Sequence, residues 1–102
     1  MSDNKGAIAL ITGGGTGIGK SIARALSGDG YTVVIAGRRA DVLQSAADEI
    51  AASSGHAVIA MPCDIGSANS VTALFDEIRD RFGRLDLLVN NAGMGAPAVP
   101  ME

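Results

Sequence analysis

The stretch that decides the fold is Thr12-Gly13-Gly14-Gly15-Thr16-Gly17-Ile18-Gly19, which directly follows the apolar run Ala7-Ile8-Ala9-Leu10-Ile11. An aliphatic run that ends in glycines, before a segment of helical periodicity, predicts a strand, a tight turn and a helix. Such a turn presents backbone N–H groups at a helix N-terminus, where those groups and the helix dipole attract phosphate. Glycine accepts a positive φ, and its missing Cβ lets a pyrophosphate approach the backbone. The chain therefore begins with a predicted nucleotide-phosphate site.

Two phosphate-binding motifs fit this stretch. As Gly14-x-x-x-x-Gly19-Lys20-Ser21 it matches the P-loop, in which the lysine contacts the β- and γ-phosphates and the serine contacts magnesium. As Gly13-x-x-x-Gly17-x-Gly19 it matches the spaced glycines of one dinucleotide-binding family, and it departs from the common G-x-G-x-x-G pattern. A glycine turn with a purely structural role is a third alternative, so the rest of the chain has to distinguish them.

Apolar runs alternate with segments of helical periodicity along the chain. The pattern predicts strands at about 7–12, 32–36, 57–61 and 85–89, and helices at 17–28, 40–53 and 68–82. The predicted apolar faces of the first and third helices are Ile18, Ile22, Ala25, Leu26 and Val71, Leu74, Phe75, Ile78, Phe82. Strands that alternate with helices imply a parallel sheet with right-handed crossovers, most simply in the order 3-2-1-4. The predicted fold is α/β, a Rossmann-type doubly wound sheet.

The bulk properties exclude several classes of function. The chain has 102 residues, a formal charge of −3 and no basic cluster, which argues for one domain and against binding to nucleic acid or an anionic membrane. Cys63 is the only cysteine and His56 the only histidine, so we expect neither an internal disulfide nor a metal site. The apolar run near the N-terminus is too short for a signal peptide or a membrane span, so we expect a cytoplasmic protein.

Three later stretches distinguish between the motifs. Gly37-Arg38-Arg39 follows the second strand, Pro62-Cys63-Asp64-Ile65 the third, and Asn90-Asn91-Ala92-Gly93 the fourth. Together with the glycine turn, they resemble the classical branch of the short-chain dehydrogenase/reductase family, from about Ala7 to Gly93. The resemblance implies an NAD(P)-dependent oxidoreductase that transfers hydride between nicotinamide and a carbonyl or alcohol substrate.

The resemblance also implies which residues bind the cofactor. In the turn they are Gly13, Gly15, Thr16, Gly17, Ile18 and Gly19, which contact the pyrophosphate. Asp64 would accept a hydrogen bond from the adenine amino group, with Ile65 packed on the ring, although capping of the loop before Ser67 is an alternative role for Asp64. Asn91, Ala92 and Gly93 would line the ribose through their backbone. Thr12 is interpreted as a hydroxyl that either braces the turn or contacts the cofactor.

The residues after the second strand favour NADP over NAD. An NAD site places a ribose-binding carboxylate there, and NAD-preferring members of the family carry an acid at the Gly37 position. Arg38 instead offers a guanidinium that can bind a 2′-phosphate with charge-assisted hydrogen bonds. Arg39 either contributes to the same site or stacks on adenine, and a pair of solvated loop arginines is the structural alternative.

The catalytic residues of the family are missing. The family uses a Ser and a Tyr-x-x-x-Lys, whereas the only tyrosine, Tyr31, is followed four residues later by Ile35. We therefore expect the chain to be the cofactor-binding N-terminal half of a longer, homo-oligomeric enzyme, and to be inactive by itself. The apolar fourth strand, which would otherwise form an uncovered edge, favours the same interpretation. A noncatalytic dinucleotide-binding module and a P-loop hydrolase are the alternatives.

Overall fold

The computed structural model describes residues 6–13, 17–64 and 66–91. These residues form a four-stranded parallel sheet with helices on both faces. Its strands are β1 (Ile8–Thr12), β2 (Thr32–Gly37), β3 (Val58–Pro62) and β4 (Leu87–Asn90). Its helices are α1 (Gly17–Gly28), α2 (Ala40–Ser54) and α3 (Ala68–Phe82). The strands lie in the order β3-β2-β1-β4, which confirms the predicted Rossmann-type topology.

Caps define where the helices end. The Ser67 side chain accepts a hydrogen bond from the N–H of Ser70 and begins α3. Gly83 has a φ of 75°, and its N–H donates to the Arg79 carbonyl, so this left-handed residue ends the helix. Both boundaries of α3 therefore fall where the sequence predicts them.

The sheet carries a separate apolar layer on each face. The layer between the sheet and α3 consists of Ile8, Leu10, Val34, Ala36, Met61, Cys63, Leu74 and Ile78. The layer between the sheet and helices α1 and α2 consists of Ile11, Ala23, Val33, Ile35, Leu43, Ala46, Ala47 and Ile50. All five residues of β1 are buried, because this strand lies between two others and under helices on both sides. β1 is therefore the central strand to which the loops of the site are anchored.

The predicted apolar face of α1 is wrong in part. Ile18 is 63% exposed and Ala25 is exposed. The buried residues of the helix are instead Gly19, Ala23 and Ser27. Small residues let α1 lie close to the sheet and to α2, and the larger Ile22 and Leu26 pack at the sides of that contact. In α3, Phe75 is likewise 37% exposed and departs from the predicted face.

β4 begins at Leu87, two residues later than predicted. Asp86, directly before it, already bonds to β1. The Asp86 N–H donates to the Ile8 carbonyl at 2.9 Å, and the Ile8 N–H donates to Asp86 Oδ2 at 2.7 Å. Arg84 donates to the same carboxylate through Nη2 and Nε, at 2.7 and 2.8 Å. The Arg84 hydrogen bond, and then the Ile8 N–H, hold the pKa of Asp86 below its usual value. Asp86 therefore fixes the start of β4 against the start of β1.

We predict that Asp86→Asn lowers the thermal stability of the protein at pH 7, because an amide cannot make charge-assisted bonds to Arg84 and to the Ile8 N–H. A depressed native pKa contributes stability above the unfolded pKa, and the contribution is lost as the pH falls through the native pKa. The difference in melting temperature between wild type and variant should therefore shrink as the pH falls below about 4, the ordinary range of an aspartate. Thermal unfolding at a series of pH values measures it.

Asp80→Asn is the matched control for this prediction. It removes the same charge from the exposed face of α3, where Arg79 Nε lies 3.8 Å from the carboxylate. This substitution should change the melting temperature much less, since exposed ion pairs contribute little. Equal losses in the two variants would show that net charge, and not the link between β1 and β4, causes the effect.

Candidate functional site

Those predicted site residues that the structure describes meet at the carboxyl edge of the sheet. The strand register pairs Thr12 with both Ala36 and Asn90, and Gly37 with Pro62, so the loops after all four strands leave from the same edge. The strand order reverses at β1, because the chain runs outward to β2 and β3 on one side and returns to β4 on the other. In open α/β sheets, ligands bind in the crevice at this position.

The two described glycines of the turn that follows β1, Gly13 and Gly17, both have a positive φ. Gly13 has a φ of 69° and donates its N–H to the Ala36 carbonyl at 2.8 Å. Gly17 has a φ of 56°, and a Cβ added there would meet no atom within 4 Å. The first turn of α1 contains no acidic residue, so no carboxylate of its own offsets the positive end of the helix dipole. Gly14, Gly15 and Thr16 lie outside the described residues.

Gly19 has a packing role. It is buried, and a Cβ added to it would collide with the Gly13 carbonyl oxygen and lie 2.8 Å from Asn91 Nδ2. Only glycine lets the first turn of α1 approach the end of β1 so closely. Contact between Gly19 and a cofactor stays a prediction, whereas its contact with Gly13 is a feature of the fold.

Side chains from β1 and β4 brace the turn. Thr12 Oγ1 lies 3.0 Å from Asn90 Oδ1 and 3.4 Å from the Val89 carbonyl oxygen, and is a donor to both. Asn91 Nδ2 donates to the Gly13 carbonyl at 3.5 Å. These contacts agree with a bracing role for Thr12 and attach the end of β4 to the glycine turn. Ala92 and Gly93, which were predicted to line the ribose, lie outside the described residues.

Lys20 forms an ion pair with an acidic residue of α2 and does not extend freely into solvent. Its Nζ lies 2.6 Å from Glu49 Oε1 on α2, and its side chain is 27% exposed. Arg24 Nη2 binds the other oxygen of the same carboxylate at 3.2 Å. The hydrogen bond from Lys20 is the main cause that lowers the pKa of Glu49. The lysine therefore joins α1 to α2. Its partner, Glu49, could not be predicted from the glycine motif.

Arg38 and Asp64 lie side by side where β2 and β3 end. The Cys63 N–H donates to the Gly37 carbonyl at 2.7 Å. Arg38 and Asp64 are the next residues of the two strands' chains, and Arg38 Nε lies 3.9 Å from Asp64 Oδ1. Asp64 Oδ1 also accepts the Gly66 N–H at 3.0 Å, so the carboxylate has the local capping role weighed as an alternative. Its adenine-binding role stays a prediction, and Ile65 lies outside the described residues.

Two neighbouring residues shape the loop that follows β2. Arg39 is the N-cap residue of α2, and within the described chain its side chain makes no cap hydrogen bond. A Cβ added to Gly37 would lie 3.6 Å from Leu43 Cδ2, an ordinary van der Waals distance. The Gly37 position can therefore accept a Cβ without a collision.

One supporting residue, Ser70 on α3, was missed by the sequence analysis. Its Oγ accepts the Asp64 N–H at 2.9 Å and donates to Cys63 Sγ at 3.4 Å. Cys63 is 5% exposed and packs as a small buried residue. A serine early in a helix has many ordinary roles, so its one-letter identity carried no signal for this contact.

The chemistry of this edge fits a dinucleotide. The turn offers open space at Gly17 and a helix N-terminus without acid, both suited to a pyrophosphate. The end of β2 offers two exposed guanidinium groups, Arg38 and Arg39. Among residues 6–13, 17–64 and 66–91, no cluster of His, Cys, Asp and Glu could hold a metal ion.

Comparison with known proteins establishes the family. The family model described as short chain dehydrogenase matches residues 7–102. The 7alpha-hydroxysteroid dehydrogenase of Escherichia coli strain K12 is 43% identical over 99 residues, which are 94% of this chain and 38% of that protein. The chain therefore belongs to the short-chain dehydrogenase family.

Solved structures agree with this assignment. L-sorbose reductase from Gluconobacter frateurii, complexed with NADPH and L-sorbose, superposes with a TM-score of 0.84 at 36% identity, over 96% of this chain and 37% of that one. A metagenomic short-chain oxidoreductase in complex with NADP gives a TM-score of 0.81 at 32% identity, over 85% of this chain and 39% of that one. Both neighbours are similar in sequence as well as in fold.

Two further findings limit what the family assignment covers. The chain spans less than two fifths of the length of the curated relatives and solved structures named above. In the described part of the chain, no helix has the length and apolar character to cross a membrane.

We predict that Gly19→Ala destabilises the protein by about 1–3 kcal/mol, the usual cost of an added methyl group in a well-packed site. The new Cβ would meet the Gly13 backbone, which cannot move aside as a flexible side chain does. Denaturant unfolding measures the change. Gly28→Ala, at the other end of α1, is the control, because a Cβ there meets nothing within 4 Å. It should leave stability unchanged or raise it by about 0.4–1 kcal/mol, and equal losses in both variants would contradict the packing role.

Proposed function

We propose that this chain is the cofactor-binding part of an NADP-dependent oxidoreductase that acts on a carbonyl or alcohol substrate. The observation that carries the proposal is the glycine turn at the crevice beside β1, with Gly13 and Gly17 at positive φ before the acid-free N-terminus of α1. Membership of the short-chain dehydrogenase family supports it, as do the NADP and NADPH complexes of two structural neighbours.

In this proposal, each loop of the carboxyl edge binds one part of the cofactor. Backbone N–H groups of the turn and of α1 hold the pyrophosphate, and the loop after β3 at Asp64 holds the adenine. Asn91, with Ala92 and Gly93 that follow it in the sequence, would hold a ribose. The nicotinamide supplies the chemistry, since its ring accepts or donates the hydride. The described residues would bind and orient the cofactor at the carboxyl edge of the sheet.

The residues that exchange a proton with the substrate are proposed to lie beyond this sequence. The only tyrosine, Tyr31, stands directly before β2, at the opposite edge of the sheet from the glycine turn. The chain also contains no Tyr-x-x-x-Lys. We therefore expect residues 1–102 to show no turnover of ketones or alcohols by themselves. A noncatalytic dinucleotide-binding module is the alternative, and turnover by the whole protein would exclude it.

NADP is proposed over NAD because of the end of β2. An acid at position 37 would repel a 2′-phosphate, and Gly37 provides none although a Cβ fits there. The Arg38 side chain is 74% exposed and can reach a phosphate at the mouth of the crevice. A phosphate accepts charge-assisted hydrogen bonds from a guanidinium, which a ribose hydroxyl cannot match.

Two broader features complete the proposal. A cytoplasmic location suits a single buried free thiol, Cys63, since a reducing compartment keeps it unpaired. Assembly of the whole protein into a homo-oligomer is proposed from the family resemblance. Sedimentation of the whole protein, with and without NADPH, would test that assembly.

We predict that Lys20→Ala changes the dissociation constant for NADPH less than about threefold in the whole protein. In a P-loop the lysine would contact the β- and γ-phosphates, whereas here its ammonium binds Glu49 on α2. Titration with NADPH, and separately with ATP plus magnesium, measures the two dissociation constants that distinguish a dinucleotide site from a P-loop. Arg24→Ala, which removes the other cation on Glu49, is the control. A hundredfold loss of magnesium-dependent ATP binding in Lys20→Ala alone would support the P-loop alternative.

We predict that Arg38→Ala weakens NADPH binding about tenfold and NADH binding much less, because only NADPH carries the 2′-phosphate. The factor corresponds to one exposed charge-assisted bond of roughly 1.5 kcal/mol. Gly37→Asp should shift the preference further from NADPH towards NADH, because the new carboxylate repels the phosphate. The added Cβ should cause no strain at the backbone. Raising the salt concentration should weaken NADPH binding more than NADH binding.

Arg39→Ala is the matched control, because it removes an equal charge from the next residue. A similar loss of NADPH in both variants would indicate a general field of two arginines in place of a specific contact by Arg38. If the unmodified protein binds NADH as tightly as NADPH at low salt, Arg38 is an ordinary surface residue and the NADP preference is wrong.

A further inference from the structure

The proposed function gives Arg38 and Asp64 separate roles, yet the two side chains form an ion pair. Arg38 Nε lies 3.9 Å from Asp64 Oδ1, and the side chains are 74% and 54% exposed. Their proximity is built into the sheet, because Gly37 and Pro62 are register partners and the Cys63 N–H binds the Gly37 carbonyl at 2.7 Å. Each charged residue comes directly after one member of this bonded pair.

The two partners are held unequally. The backbone of Asp64 is fixed by its N–H to Ser70 Oγ at 2.9 Å and by its carbonyl, which accepts the Ser67 N–H at 3.0 Å. Its carboxylate also accepts the Gly66 N–H at 3.0 Å. Arg38 extends into solvent on a long flexible side chain. Arg38 is therefore the partner that moves when another anion competes for it, and Asp64 is the partner that stays.

We infer that Asp64 is a specificity-determining residue that competes with the 2′-phosphate of NADP for Arg38. The inference rests on the proposed function, since it requires a dinucleotide at this edge. NADPH must draw the guanidinium away from Asp64 before the phosphate can bind it fully, whereas NADH binds without disturbing the pair. Asp64 thus reduces the preference for NADPH that Arg38 creates.

The expected size of this effect is small and measurable. Exposed ion pairs contribute about 0.2–1 kcal/mol, so loss of the Asp64 charge should raise the preference for NADPH by about 1.4- to fivefold. Asp64→Asn removes the charge and keeps an oxygen that can accept the Gly66 N–H. Both dinucleotides carry the same adenine, so any change in adenine binding cancels in the ratio of their dissociation constants. The ratio therefore isolates the effect on the phosphate.

The test is a double-mutant cycle in the whole protein. Dissociation constants for NADPH and NADH are measured by titration in wild type, Asp64→Asn, Arg38→Ala and the double variant. We expect Asp64→Asn to raise the preference for NADPH about 1.4- to fivefold in the presence of Arg38 and to leave it unchanged in the Arg38→Ala background. An equal rise in both backgrounds would overturn the inference, because the carboxylate would then repel the phosphate directly.

Asp41→Asn is the matched control. It removes the same charge from the first turn of α2, three residues after Arg38, and within the described chain Asp41 forms no ion pair. An equal rise in this variant would overturn the inference in favour of a general change in surface potential. No change in Asp64→Asn, in a protein that binds both dinucleotides, would overturn the inference and leave the proposed function intact. Failure of the unmodified protein to bind either dinucleotide would refute the proposed function itself.

Discussion

The close approach of α1 to the end of β1 is the contact on which the site depends. The first turn of the helix packs on the Gly13 backbone, and Gly19 makes that possible because any side chain there would meet the Gly13 carbonyl. The same carbonyl accepts the Asn91 amide, so helix, turn and β4 meet at one oxygen atom. The direction in which the α1 dipole points is thereby set by backbone packing, and the electrostatic character of the site follows from that packing.

The parts of the fold that were predictable are those governed by periodicity. β1 and the inner residues of β2 are buried on both faces and appear in the sequence as continuous apolar runs, which is the pattern of interior parallel strands. The ends of α3 were predictable because Ser67 and Gly83 have local capping roles that need no tertiary partner. The positive φ of Gly13 and Gly17 was predictable, since few residues other than glycine accept such backbone angles.

The errors have a common physical cause in contacts between distant segments. Ile18 seemed to belong to the apolar face of α1, but the helix buries Gly19, Ala23 and Ser27, because close packing rewards small residues over large ones. Lys20 finds its partner 29 residues later on α2, and Asp64 finds Ser70 through the turn that begins α3. A one-dimensional pattern records which residues are apolar or charged. It does not record how closely two elements approach, and that distance determined each of these contacts.

The bonds of Asp86 to β1 have a consequence at the opposite edge of the sheet. They set the alignment in which Leu87 pairs with Ala9 and, three residues later, Asn90 pairs with Thr12. Successive residues of a strand face opposite sides, so a shift of one position would exchange the places of Asn90 and Asn91. Thr12 and the Gly13 carbonyl would then lose the side chains that brace them. A carboxylate at the amino edge of the sheet therefore determines, from the far end of the strand, which side chains reach Thr12 and the Gly13 carbonyl at the carboxyl edge.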